Sequence, residues 1–281
     1  MLKFFAVEKN AALLLVIFAL TGLVLANGPM ASSFSQFADT PMRWFDSFSL
    51  SPSEVSGEFL MTGFFLLVGL ELKRELTSGV FRQRSALLIP ILAAFFGAVV
   101  PALVYFTLNA NNPETSRGWG IPMATDLTFA LAVFSIFGKK IPAQGRIFVL
   151  AFAVIDDLIA IAVIAIFVSE AINLGWALAT LAALLIFWLA GRVRFYWLMP
   201  LLAVLAWCLL SLSGVQPAVV GVLLGLLVPA KKVAALEVKV HPWISLLILP
   251  IFALFATAVN LGGGFSLLAP VALAVLLRPI G

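Results

Sequence analysis

The chain has 281 residues, of which 63% are hydrophobic and 11% are charged, and its formal net charge is +4. Its mean hydropathy is +1.15, and soluble domains are only about 45–50% apolar and about 25% charged. The composition therefore excludes a soluble domain and predicts an integral membrane protein. Because Cys208 is the single cysteine, an intrachain disulfide is excluded as well.

Apolar runs long enough to cross a bilayer as a helix, about 20 residues each, recur along the whole chain. We place ten spans, at 11–26, 57–72, 86–108, 120–137, 146–169, 174–190, 195–212, 214–230, 242–259 and 265–281. The predicted fold class is all-α, a polytopic membrane helical bundle that forms one integral membrane domain over residues 1–281. The first span is not a cleavable signal, because its apolar stretch is long and Ala26-Asn27-Gly28 is only a weak cleavage-like site.

Basic residues fall in alternate connections of this arrangement. One side carries Lys3, Lys9, Lys73, Arg74, Arg82, Arg84, Lys139, Lys140, Arg146, Arg192, Arg194, Lys231, Lys232 and Lys239, and the other only Arg43 and Arg117. The positive-inside rule predicts that the rich side and the N-terminus are cytoplasmic. The pI near 9.5 then reflects topology, and nucleic acid is not a predicted partner. Arg278 lies inside the last apolar run and is not explained by this rule.

The fourth span opens with helix-breaking residues beside a carboxylate. Pro122 lacks a backbone donor and disfavours helix at Ile121, and Thr125 and Asp126 follow within four residues. Non-helical backbone is tolerated in a membrane only where protein or a watery cavity satisfies it. A broken helix beside Asp126 therefore indicates a site, and a proline-kinked helix with a lone buried aspartate is the alternative.

Two adjacent carboxylates, Asp156 and Asp157, interrupt an otherwise almost wholly apolar run between residues 147 and 168. A charge at membrane depth costs about 2.5–3.5 kcal/mol on insertion scales, so we expect both to have a function. Oxygen ligands suit hard cations, so we predict that Asp126, Asp156, Asp157 and Thr125 bind a small cation. A structural ion pair, or a carboxyl group kept neutral by burial, is the alternative.

The residues that point to a family are Trp119-Gly120-Ile121-Pro122-Met123-Ala124-Thr125-Asp126, Val154-Ile155-Asp156-Asp157, the run from Phe64 to Glu75, His241-Pro242-Trp243 and Leu249-Pro250. Together they resemble the NhaA family of bacterial sodium/proton antiporters, in family order across nearly the whole chain. The resemblance implies inverted repeats with broken helices at the membrane midplane. It also implies electrogenic exchange of sodium or lithium for protons across the bacterial inner membrane, for pH and sodium homeostasis.

The resemblance extends to a second group of residues, at the predicted cytoplasmic mouth where the family senses pH. That group is Glu71, Lys73, Arg74, Glu75 and His241. From the residues alone, the first four could be a solvated helix end. His241 beside Pro242, at a predicted helix start, is interpreted first as an interface anchor, with a pH switch as the alternative.

Two departures from the family pattern affect the expected mechanism. Arg278, before Pro279-Ile280-Gly281, stands where the family has a lysine. Because arginine stays charged, it can balance a carboxylate but cannot release a proton. The family also continues for two more helices beyond the position of Gly281, so the expected fold lacks the last two helices.

The remaining functional alternatives are a transport-inactive fragment or scaffold and a cation channel. An enzyme is not predicted, because an intramembrane aspartyl protease needs two facing aspartates from separate helices. No cofactor is predicted, and the predicted partners are Na⁺ or Li⁺, H⁺ and the lipid bilayer, with a homodimer left open. The small-xxx-small pattern from Gly221 to Gly225 predicts close helix packing within the chain rather than a dimer seam.

Overall fold

The computed structural model describes residues 2–45, 48–78, 88–109 and 172–259, with single helical positions between 145 and 163. The predicted spans 120–137 and 265–281 lie outside these residues. So do Thr125, Asp126, Asp157 and Arg278, and their predicted roles stay predictions.

Helices dominate the described residues. In chain order they are α1 (Leu2–Asn27), α2 (Ala31–Asp39), α3 (Pro52–Glu54), α4 (Met61–Ser78), α5 (Leu88–Asn109), α6 (Leu174–Arg192), α7 (Met199–Leu212), α8 (Val219–Leu227), α9 (Ala230–Trp243) and α10 (Leu249–Ala256). Two π-helical segments, Val55–Leu60 and Ile244–Ile248, join α3 to α4 and α9 to α10. A short antiparallel hairpin, β1 (Met42–Phe45) and β2 (Phe48–Leu50), pairs Met42 with Leu50 and Phe45 with Phe48.

Five helical runs of the described residues are long and apolar enough to cross a membrane. They are Asn10–Asn27, Pro52–Thr77, Leu88–Thr107, Leu174–Arg192 and Ala230–Ala256. Each overlaps one of the predicted spans, so the prediction of an all-α membrane protein is confirmed. The connection 27–55 nevertheless contains α2 and the hairpin, which hydropathy did not predict.

Two predictions about the later spans are wrong. In place of a span at 214–230 the chain has turns followed by α8, which is nine residues long. At about 1.5 Å per residue it is far shorter than the ~30 Å apolar layer of a bilayer. His241 does not lie at a helix start, because α9 begins at Ala230 and continues through Pro242 into the second π-helical segment.

Side-chain caps fix where two of the long helices begin. Ser51 and Glu54 form a reciprocal capping box ahead of α4, with Pro52 in the first turn. The Asn173 side chain accepts hydrogen bonds from the backbone of Gly175 and Trp176, at 3.0 and 3.4 Å, and so starts α6. These caps satisfy backbone donors that the helices cannot satisfy themselves.

The chain divides into two compact units. The first comprises Met1–Arg74 with Ser169–Gly263, and the second comprises Glu75–Val168 with Gly264–Gly281. The core of the first unit joins Leu70 of α4 to Phe187 of α6, Ala206 and Trp207 of α7 and Val220 of α8. The prediction of one domain over residues 1–281 stays a prediction.

Glycines allow α4 and α8 to cross with their backbones almost in contact. A Cβ atom on Gly225 would lie 2.6 Å from the carbonyl carbon of Gly69, and one on Gly221 would lie 2.9 Å from the backbone nitrogen of Leu66. Real Cβ atoms do not approach other atoms so closely, so larger residues would push the helices apart. The small-xxx-small pattern is therefore an intrachain packing motif, as predicted.

Candidate functional site

Asp156 is almost completely buried, with 1% of its surface exposed, on a helical segment of the second unit. Phe152 lies one turn earlier and therefore on the same face of that segment. Its ring stacks on that of Phe148, with a centroid distance of 6.1 Å. A Cβ atom on Gly97 of α5 would lie 3.9 Å from the Phe152 ring. Asp156 thus belongs to the face that packs against α5.

The described part of α5 on this side is also buried. Ala94 and Ala98 are almost completely withdrawn from solvent, and Tyr105 is 3% exposed. Since removing an ionised carboxylate from water costs several kcal/mol even after relaxation, such a group must be compensated by a cation, a proton or polar partners. The burial of Asp156 is therefore consistent with the predicted cation and proton site. Within the described ranges, no three His, Cys, Asp or Glu side chains come together as a metal site.

A second group of charges lies at the end of α4, in the first unit. The Arg74 guanidinium donates to Glu237 of α9 and forms an ion pair with it. The exposed fractions of the two side chains are 40% for Arg74 and 13% for Glu237. The other carboxylate oxygen of Glu237, Oε2, is buried without a hydrogen-bond partner. The pair therefore joins two long helices, with the carboxylate largely withdrawn from water.

Lys73 makes a different contact from the same turn of α4. Its Nζ donates to the backbone carbonyl of Leu226, 2.5 Å away, in the last turn of α8. The last carbonyls of a helix lack intrahelical donors and carry partial negative charge, so an ammonium group is favoured there. Lys73 and Arg74 together thus tie the end of α4 to α8 and to α9.

The structure places the remaining residues of the predicted cytoplasmic mouth as follows. Glu71 is half-buried, and Glu75 is buried, with 7% of its surface exposed. His241 is half-buried and follows Glu237 by four residues, so both lie on one face of α9. Of the α4 residues Glu75 is buried but Arg74 is 40% exposed, so the solvated helix end stays an alternative.

Sequence reasoning missed Glu237. The available signal was a lone acidic residue among Lys231, Lys232 and Lys239, in a segment that was assigned to a connection. Glu237 lies on the same face of α9 as His241, and its ion pair with Arg74 shows that this side chain meets α4. A helical reading of the segment predicts the shared face but not the contact with α4.

An all-α membrane protein with a carboxylate buried in an apolar helix has the features of an ion-handling membrane protein. Residues 2–279 match the family model of Na⁺/H⁺ antiporter 1, and the chain belongs to that family. The resemblance drawn from the sequence motifs is thereby confirmed.

Relatives cover nearly the whole chain. It is 36% identical over 278 residues to "Na(+)/H(+) antiporter NhaA 1" of Klebsiella pneumoniae, an alignment that covers 93% of this chain and 69% of that protein. This chain is 35% identical to "Na(+)/H(+) antiporter NhaA" of Proteus mirabilis, and the alignment covers 99% of this chain and 76% of that protein. This chain is 34% identical to the protein of the same name from Aeromonas salmonicida, and the alignment covers 99% of this chain and 75% of that protein.

Proposed function

We propose that the protein exchanges sodium for protons across a membrane, using Asp156 and Asp157 as binding groups shared by both ions. The observation that carries this proposal is the burial of Asp156 in an apolar helical segment of a chain whose relatives are named as Na⁺/H⁺ antiporters. Lithium, similar in charge and hardness, is a second proposed substrate.

The chemistry follows from placing two carboxyl groups close together. In a low-dielectric site both cannot easily ionise, so at least one holds a proton until a cation arrives. Sodium binding then expels protons, and proton binding expels sodium. Alternating access to this one site gives exchange without a separate coupling device.

The other predicted residues complete the oxygen donors and the charge balance. Asp126 and Thr125 would add a carboxylate and a hydroxyl to the cation shell, while Arg278 would supply a fixed positive charge that favours the ionised carboxylates. If more protons than sodium ions cross per cycle, exchange is electrogenic. The membrane potential then contributes about 2.3 kcal/mol per charge per 100 mV.

We place the protein in the bacterial inner membrane with a cytoplasmic N-terminus, on the strength of the alternating basic residues. This orientation puts the Arg74–Glu237 pair and Lys73 on the cytoplasmic side, where they would respond to internal pH. The physiological role would be pH and sodium homeostasis. A homodimer stays a prediction.

The test uses the purified full chain in liposomes that contain a pH-sensitive dye. A sodium or lithium gradient should drive opposite proton movement, and Asp156→Asn or Asp157→Asn should reduce it to background. Lys239→Gln is the control, because it also removes one charge and Lys239 is exposed on α9. Undiminished exchange in both site variants would contradict the proposal. Stepwise currents larger than the turnover of a transporter allows would instead favour a cation channel. A wild type without any ion movement would favour a scaffold.

A further inference from the structure

A cavity of about 420 Å³ lies in the first unit, between the end of α1, the whole of α2, α3 and the end of α10. Its polar wall includes Ser35, Asp39 and Ser53, and its apolar wall includes Phe34 and Phe255 together with alanines. The proposed exchange site on the Asp156 segment shares none of these residues. Under the proposed orientation, α2 lies on the extracytoplasmic side.

The polar wall has more acceptors than protons to serve them. The Ser53 hydroxyl lies 2.9 Å from the Ala38 carbonyl, 3.4 Å from Asp39 Oδ1 and 3.0 Å from the Ser51 hydroxyl. One hydroxyl carries one proton. When Ser53 donates to the closer Ala38 carbonyl, Asp39 Oδ1 receives nothing from it. The other oxygen, Asp39 Oδ2, accepts from Ser35 at 3.1 Å.

No lysine or arginine lines the cavity among the residues that the structure describes. Asp39 is exposed, so a solute can reach it. A ligand with positive charge and N–H donors can replace water at the carboxylate oxygen that Ser53 does not serve.

The opposite wall of the cavity is apolar and can pack against a hydrocarbon group. The rings of Phe34 and Phe255 stack with a centroid distance of 6.0 Å and an interplanar angle of 20°. Aromatic faces attract organic cations, and the alanines beside them offer only methyl groups. The cavity is also far larger than a bare sodium ion, which would leave the aromatic wall unused.

We propose that this cavity binds a primary organic ammonium ion, with the charged nitrogen at Asp39 and the apolar body against Phe34 and Phe255. The ammonium has three donors, which match Asp39 Oδ1 and the neighbouring hydroxyl oxygens. The same ammonium group occurs in free amines and in the headgroup of phosphatidylethanolamine. Both sources would make the contacts to Asp39 and the hydroxyl oxygens, and a free amine with an apolar body would also use the rings.

The test measures binding by the purified full chain in detergent, with benzylammonium as the probe and neutral benzyl alcohol as the control ligand. Asp39→Asn should weaken binding by about tenfold or more, the loss expected for a hydrogen bond to a charged group. Phe34→Leu should weaken it by about two- to fivefold through the lost ring. Phe37→Leu is the matched control, since Phe37 is exposed on the same helix outside the cavity.

Binding of benzylammonium but not benzyl alcohol, with this order of variants, supports the site. The proposal is overturned if the wild type shows no saturable binding of benzylammonium, or if Asp39→Asn and Phe34→Leu bind it as tightly as the wild type does. Weaker probe binding in phosphatidylethanolamine nanodiscs than in phosphatidylglycerol nanodiscs would identify a lipid headgroup as the source, and equal binding a free amine. Because binding is measured without ion flux, failure here would leave the exchange proposal unaffected.

Discussion

Two carboxylates, Asp156 and Glu237, are withdrawn from water in different ways. Asp156 lies in an apolar segment with 1% of its surface exposed, whereas Glu237 forms an ion pair with Arg74, whose side chain is 40% exposed. Ions of the solution can therefore reach the second pair through its exposed partner. They can reach the Asp156 carboxylate only if the residues around it move. This difference is what the ion-carrying role proposed for Asp156 requires.

The largest effect that tests this difference between Asp156 and Glu237 is expected at Asp156. Asp156→Asn should lose exchange entirely while the free energy of unfolding changes little, because the amide keeps the shape of the side chain but cannot take up and release a proton. Thermal unfolding of the detergent-solubilised protein, with flux measured on the same preparation, provides the check. A variant that keeps exchange but melts markedly earlier would give Asp156 a structural role instead.

The opposite result is expected for Arg74. Arg74→Gln leaves Glu237 withdrawn from water without its charged partner, and should cost about 1–2 kcal/mol, less than a fully buried pair because Arg74 is partly exposed. Exchange should persist with an altered pH profile. The double variant Arg74→Gln with Glu237→Gln should recover much of the lost stability. Additive losses in the double-variant cycle would show that the pair contributes no coupling.

A smaller effect is expected at Lys73. Lys73→Met removes the ammonium from the end of α8 and should lower the free energy of unfolding by about 0.3–1 kcal/mol, whereas Lys73→Arg should retain most of it. Thermal unfolding of the three forms at low and high salt measures the difference. If Lys73→Met and Lys73→Arg melt together, the charge on α8 is irrelevant and only packing of the side chain matters.

The spans could be predicted from the sequence because apolar length is dictated by the bilayer itself. What failed depended on local geometry. Hydropathy could not distinguish the turns before Val219 from a helix, since Val215, Pro217 and Ala218 are apolar in either conformation. Pro242 is typical of a helix start, but the helix continues through it into a π-helical segment.

The candidate site could be predicted as residues but not as contacts. Asp156 was found because a charge in an apolar run is costly whatever the fold. The partner of Arg74 lies 163 residues further along the chain, and nothing local to either residue encodes that pairing. It depends on where α4 and α9 meet, which packing decides.

The contacts of the first unit also determine when it can be completed during synthesis. Asn27 donates to the carbonyl of Val259 across 232 residues, and Thr257 donates to that of Ala19 across 238. At about 5–20 residues per second, α1 must wait on the order of 10–50 s for these partners. Until then α1 must persist as a single helix in lipid, as in two-stage membrane folding. The N-terminal helix is therefore among the first to be made and among the last to be locked in place.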